Sequence, residues 1–223
     1  MVLLFVRAPQ RGTVKTRLQP VIGEEGALDI YRCFILDILD TLRTANLTIR
    51  IFFSPTDSRE EITDWLGHVF DYTPQTGESL GERMENAFVQ MFSEGTEKAV
   101  LIGSDIPDLP ASIFYEAFAA LDANDAVIGP ATDGGYYLIG FRNNTFMPEI
   151  FRGIKWSSGS VFRITMDIFE AHGCRPHVLP IWNDLDTGDD LRHFFLRNRR
   201  SDFAISRTMS YLNTIAEKLI GHG

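Results

Sequence analysis

Three short apolar runs, Val2 to Val6, Ile49 to Phe53 (interrupted only by Arg50) and Val100 to Ile102, constrain this chain more than any other feature. A strand wetted on one face alternates apolar with polar residues, whereas an unbroken run suits a strand covered on both faces. Helical patterns fill the intervals. Between Gly26 and Leu42, Ile30, Phe34, Ile38 and Leu42 recur at four-residue steps with Tyr31, Ile35 and Leu39 beside them, making a broad apolar face. Ser79 and Glu82 read as a capping box opening a helix through Met84, Phe88 and Met91 that closes near Gly95. Pro110 to Leu121 repeats the pattern, with the proline in the first turn. Strands alternating with helices need right-handed crossovers, which place helices on both faces of a mainly parallel sheet. The expected fold class is α/β, with three α/β/α layers around a mixed, mostly parallel sheet.

The texture changes after Pro130. The apolar stretch Ala126 to Ile128 is followed by the turn signal Asp133-Gly134-Gly135 and then by Tyr136 to Phe141. That spacing leaves no room for a crossover helix and predicts an antiparallel strand at an edge of the sheet. A helix from about Ser158 to Ala171 and a last strand from His177 to Trp182 complete the pattern. No repeat or linker divides the 223 residues. One domain over 1–223 is expected, with 197–223 a peripheral helical extension.

Lys and Arg number 21 against 30 Asp and Glu, a net charge of -9. No broad positive field is available for nucleic acid or anionic membranes, so neither is expected as a partner. No run reaches membrane-spanning length, and the apolar start is cut off at Arg7 and Pro9, too early for a signal-peptide core. Cys33 and Cys174 form no metal-spaced pair and no disulfide framework, although a single bridge between them stays open. A cytoplasmic setting is the expectation. The histidines show no ligand spacing.

Against this acidic background the loop after the first strand stands out, with Arg7, Arg11, Lys15 and Arg17 and no acid before Ile22. Open α/β sheets bind ligands beyond the carboxyl ends of their strands. A diphosphate needs donors from several directions: Gly12 would admit backbone N–H groups, and Lys15 and Arg17 would add a mobile charge and a planar fork. Gly12 to Thr16 is not a P-loop, because Val14 stands where that pattern needs glycine before the lysine. No G-x-G-x-x-G is present, so nothing supports a nicotinamide cofactor.

Asp105, just past the third apolar run, is placed to hold Mg²⁺ or Mn²⁺, with substrate phosphates and water filling the other positions. Asp108 reads as a helix cap before Pro110. After the last strand, Asp184 and Asp186 lie two apart and point the same way in extended chain, so that one of them could complete a metal site with Asp105. Thr187 and Asp189 read as caps of a following helix. Asp133-Gly134-Gly135 is either a plain hairpin turn or a place where backbone approaches a sugar or acceptor, with Tyr136 or Tyr137 stacking beside it. Trp156 reads as a core aromatic with a cap after it.

The order Arg-Ala-Pro-x-x-Gly-x-Val-Lys-Thr-Arg-Leu, Gly-Ser-Asp-Ile-Pro, Gly-Pro-Ala-x-Asp-Gly-Gly-Tyr-Tyr-Leu-Ile-Gly, Trp-Ser and Asp-Leu-Asp-Thr-x-x-Asp-Leu resembles the nucleotide-diphospho-sugar transferase superfamily of GT-A fold. Within it, the likeness is to small bacterial glycosyltransferase-like proteins of the arsenosugar-biosynthesis type, over roughly Met1 to Leu196. The resemblance implies that Arg7, Ala8, Pro9, Gly12, Lys15, Arg17 and Ser104 serve a nucleotide diphosphate. It also implies Asp105 and Asp186 as ligands of Mg²⁺ or Mn²⁺, and Gly134, Gly135, Tyr136, Trp156 and Ser157 as a sugar or acceptor site. Asp133 is the candidate base, with Asp105 the other catalytic candidate. Two departures stand beside the likeness: Ser104-Asp105-Ile106 has one acid where the usual Asp-x-Asp has two, and the Gly-x-Gly-x-Arg loop of pyrophosphorylase-type enzymes is absent. The implied activity is transfer of a glycosyl group from a nucleotide sugar to a small-molecule acceptor. Its rivals are nucleotidyl transfer from an NTP to a phosphorylated acceptor, and nucleotide sensing without catalysis.

Overall fold

A computed structural model describes residues 1–156 and 158–220. The strands are β1 (Val2–Arg7), β2 (Ile49–Ser54), β3 (Asp71–Pro74), β4 (Lys98–Ile102), β5 (Ala126–Pro130), β6 (Tyr136–Arg142) and β7 (Pro176–Val178). They form one sheet in the order β3-β2-β1-β4-β6-β5-β7. The helices are α1 (Gln19–Thr44), α2 (Arg59–Leu66), α3 (Leu80–Ser93), α4 (Ala111–Ala120), α5 (Val161–Ala171), α6 (Gly188–Asn198), α7 (Arg207–Thr214) and α8 (Ala216–Ile220). The α/β class read from the sequence is the observed one.

The apolar run of β1 is explained by its neighbours. Val2, Leu4 and Val6 pack with α1 and α4 on one face, and Leu3 and Phe5 pack with α3 on the other. Each fully buried Leu, Val or Phe contributes about 1.5–3 kcal/mol, so a strand buried on both sides anchors the sheet centre. A third apolar cluster joins Ile30 and Phe34 of α1 to Phe194 of α6 and Leu212 of α7. Asp37, buried on α1, accepts the backbone N–H groups of Arg207 and Thr208 (3.0 and 2.8 Å) and so satisfies the start of α7.

Several expectations need correction. The antiparallel strand β6 is not at an edge: it pairs with β4 on one side and β5 on the other. Tyr137 to Phe141 are accordingly all buried. The last strand is three residues long rather than running to Trp182, because Pro180 has no N–H for the ladder. Pairing resumes only at the Ala131–Trp182 bridge. The short strand β3 lies at an edge of the sheet and has no signal in the sequence. It carries Asp71 and ends on Pro74, and so shows neither an apolar run nor alternation. Ser79 accepts from Glu82 N–H (3.2 Å), but Glu82 returns to the amide of Glu78 (2.8 Å), so the capping box is not reciprocal. Thr187 and Asp190 make the full reciprocal box at α6. Cys33 and Cys174 are free thiols rather than a bridge. Among the described residues, no helix is long and apolar enough to cross a membrane.

Candidate active site

The carboxyl ends of β1, β2 and β4 open on one rim, and β6, running the other way, brings its first residue Tyr136 to the same rim. Two adjoining clefts of about 380 and 300 Å³ lie there. They share Arg7, Ser104, Asp105 and Asp186. The smaller is lined by the basic loop from Thr13 to Arg17; the larger runs from Ser54 and Gln75 across to Asp133, Tyr136, Trp156 and Asp184.

Lys15 stands at the junction. Its backbone is left-handed (φ 45°, ψ 41°), a conformation that disfavours residues with a Cβ by about 1–2 kcal/mol. The side chain turns inward and is 5% exposed. Its ammonium donates to the Leu185 carbonyl, to Asp105 Oδ1 at 2.6 Å and to Asp186 Oδ1 at 2.9 Å, and lies 5.6 Å from the Phe34 ring centroid. Three N–H donors thus meet three acceptors. Burial works against the charge, but the two carboxylates outweigh it and hold Lys15 above the usual lysine range. The Leu185 N–H also donates to the Asp105 carbonyl (3.0 Å), so the segments after β4 and β7 are tied by backbone as well.

The other cations separate. Arg17 is 68% exposed and 3.6 Å from Asp186 Oδ2. Arg7 lines both clefts; Tyr31 fixes its backbone, its hydroxyl accepting from Arg7 N–H (2.8 Å) and donating to Arg7 C=O (3.0 Å). Arg11 pairs instead with Glu24 and Glu25 on α1. Ala8 and Pro9 are buried beneath the loop, the Ala8 N–H bonded to Ser54 O (2.7 Å), and Gly12 is exposed at φ 75°; none of the three lines a cleft. Ser104 donates to Asp105 Oδ1 at 3.3 Å.

On the far side, Asp133 Oδ1 accepts from Gly135 N–H (2.7 Å), making the hairpin turn while still lining the cleft. Gly135 lines it too. Gly134 (φ 88°) packs against the next loop instead, where an added Cβ would lie 2.1 Å from Gly159 O. Tyr136 and Trp156 meet edge-on with ring centroids 6.1 Å apart. Ser157 lies outside the described residues. Asp184, the alternative to Asp186 in the sequence, also lines the larger cleft, and burial, then the charge of Asp133, pushes its carboxyl up to about 6. The Asp-x-Asp spacing was its only signal. Gln75, held through its amide nitrogen by Phe52 O (2.9 Å), gave none.

Asp108 does not cap α4, whose first turn is led by Pro110 in extended conformation. Its side chain turns away to accept from Trp182 Nε1 (3.0 Å), Arg197 Nη2 (2.6 Å) and Asn198 Nδ2 (2.9 Å).

The donor set suits a hard divalent cation only with help from a ligand. Lys15 occupies Oδ1 of Asp105 and of Asp186; among the described residues, no hydrogen bond reaches Oδ2 of Asp105. No third His, Cys, Asp or Glu among the described residues joins the pair in a metal-sized group. Two carboxylates open to a cleft, with phosphate and water completing the sphere, are what Mg²⁺ ordinarily accepts.

This mixed, mostly parallel sheet with helices on both faces is the fold of the nucleotide-diphospho-sugar transferases. Residues 38–158 match the family described as an uncharacterized protein conserved in bacteria, DUF2064, and the chain belongs to that family. A candidate nucleotide-diphospho-sugar transferase from Desulfovibrio desulfuricans G20 is 39% identical, with 98% of this chain and 95% of that one covered and a TM-score of 0.95. Two further structures share the fold alone. The 4-diphosphocytidyl-2C-methyl-D-erythritol synthase of Anaerococcus prevotii is 13% identical (TM-score 0.55; 85% of this chain and 94% of that one). Rv0371c of Mycobacterium tuberculosis H37Rv, solved with manganese, is 15% identical (TM-score 0.53; 86% and 96%). Comparison with curated proteins returns no match.

Proposed function

We propose that the protein is a transferase that binds a nucleotide-activated sugar together with Mg²⁺ or Mn²⁺ and passes the glycosyl group to a small acceptor. The observation that carries this reading is the convergence of Arg7 and Arg17 with the Asp105–Lys15–Asp186 cluster on one rim. Arg17, exposed beside Asp186, is free to turn its planar fork onto phosphate oxygens, and Arg7 offers a second donor from the end of β1. Lys15 has no spare N–H in this arrangement, so its first task is to hold the two carboxylates side by side. Asp105 and Asp186 would hold the metal, which when bound supplies positive charge against the departing diphosphate.

In the reaction, an acceptor hydroxyl oxygen forms a bond to the anomeric carbon as the bond from that carbon to the diphosphate oxygen breaks. The electron pair leaves with the nucleoside diphosphate, and the hydroxyl proton passes to a carboxylate. Asp133 and Asp184 both line the cleft for that step, and the raised carboxyl of Asp184 suits it to receive a proton near neutral pH.

A thermal-shift panel of nucleoside diphosphates and nucleotide sugars, with and without Mn²⁺, tests the reading. A ligand at 100 times its Kd adds about 2.7 kcal/mol, or about 5–10 °C for a chain of this size. Stabilisation by a nucleotide sugar together with Mn²⁺, followed by release of the nucleoside diphosphate, supports transfer. Release of pyrophosphate from an NTP would favour nucleotidyl transfer, binding without chemistry would favour a sensor, and no stabilisation by any nucleotide would sink all three.

A further inference from the structure

The two halves of the larger cleft differ in charge. The half formed by β5, β6 and the segments beside them is lined by Asp133 and Asp184, and among its described residues by no lysine, arginine or histidine. The cations of the rim lie elsewhere. Arg7 sits at the border with the smaller cleft, Arg17 lines that smaller cleft, and Lys15 is held between Asp105 and Asp186. Lys155, next to Trp156 in sequence, is exposed and lines neither cleft. The same half of the cleft is also lined by aromatic rings: Tyr136 and Trp156 stand edge to face, and Trp156 packs closely on α3, where Gly81 leaves room for its indole. Such a wall takes the C–H face of a ring or a cationic group, and favours neither phosphate nor carboxylate. An anion entering this half would leave water for a partly buried space lined by two carboxylates, with no lysine, arginine or histidine of that half to offset either effect.

We propose that this half of the cleft receives the acceptor, and that the acceptor is a neutral polyhydroxyl or amine-bearing molecule without a phosphate group. A hydroxyl or ammonium group of such a molecule finds acceptors in Asp133 and Asp184, while its apolar face lies on Tyr136 and Trp156. The inference rests on the transferase reading and narrows it, because nucleotidyl transfer to a phosphorylated acceptor would need a cation where the structure has two acids.

Glucosamine and glucosamine 6-phosphate are suitable probes, since they differ only in the phosphate. Calorimetric titration of each into the full chain should show glucosamine binding at least about 10-fold more tightly. Asp133→Asn/Asp184→Asn should bring the two affinities within about 3-fold, with Asp184→Asn alone giving an intermediate ratio should the double variant not fold. Equal or tighter binding of the 6-phosphate, or no binding of either sugar, overturns the proposal. A parallel titration with UDP and GDP in the presence of Mn²⁺ separates it from the parent reading. Nucleotide binding with a preference for the phosphorylated sugar removes only the acceptor class, whereas the glucosamine preference without nucleotide binding removes the transferase.

Discussion

Lys15 Nζ lies 2.6 Å from Asp105 Oδ1, joining the loop after β1 to the loop after β4 through a side chain that is almost wholly buried. Because the same ammonium also binds Asp186 at 2.9 Å, it offsets the repulsion between two acids that would otherwise repel across the rim. Lys15→Met keeps most of the apolar stem of the side chain and removes the charged head. Losing one partner of a fully buried ion pair costs about 3–5 kcal/mol; here the acids are about one-third to one-half exposed and regain water, so about 1–3 kcal/mol is expected. Urea unfolding measures it, and a variant as stable as wild type would mean that the lysine does not hold the carboxylates.

Asp105→Asn and Asp186→Asn keep the shape of the rim and leave Lys15 an amide oxygen to bind. Each should lower turnover about 10²–10³-fold and abolish the response of nucleotide binding to Mn²⁺, with thermal stability shifted by no more than a few degrees. Initial rates and Mn²⁺ titrations on the two variants check this. Full activity in Asp186→Asn would remove it from the metal assignment.

The thiols give a pH-dependent check on packing. Burial, then Asp37 and Asp29, push Cys33 up to about 11; burial and Asp125 do the same for Cys174. Relative to a thiol at 9.0, each then holds about 100-fold less thiolate at pH 8, so alkylation by iodoacetamide should be slower by about that factor. Because the folded values are raised, the contribution to stability is full below pH 9 and is lost as pH rises through 11. Labelling followed by mass spectrometry, native against urea-unfolded, reads the difference; equal rates would contradict the packing around both cysteines.

The centre of the sheet was legible because β1, β2 and β4 are buried on both faces, and two-sided burial leaves an apolar run in the sequence. The place of β6 was not, since the same run of Tyr136 to Phe141 suits an edge or an interior strand equally, and only pairing with β4 decides between them. The acids of the rim were visible as strand-end residues. What remained hidden was how they pair. Nothing local distinguishes Lys15 from Arg17, and it is the left-handed backbone at Lys15 that sends one cation inward and leaves the other in solvent. Asp108 misled for a related reason: Asp before Leu-Pro has the composition of a cap, while its true partners come from residues 182, 197 and 198.

Those three partners make Asp108 the tie between the loop that carries Asp105 and the segment that carries Asp184 and Asp186. Its carboxylate is 5% exposed, and Trp182 and Asn198 depend on it for their side-chain N–H bonds. Asp108→Ala leaves those donors and Arg197 unmatched in a part-buried place, which should destabilise the fold by about 2–4 kcal/mol. Asp108→Asn keeps one acceptor oxygen but turns an amide N–H toward other donors, so it should recover only part of the loss. The rim should loosen along with the tie, because Trp182 lies two residues before Asp184. Trp182 fluorescence in a background with Trp65 and Trp156 replaced by Phe should therefore shift to the red in Asp108→Ala at temperatures well below unfolding. An unshifted spectrum together with wild-type stability would show that the tie carries no weight, and that the backbone bond from Leu185 to Asp105 suffices to hold the two acidic segments together.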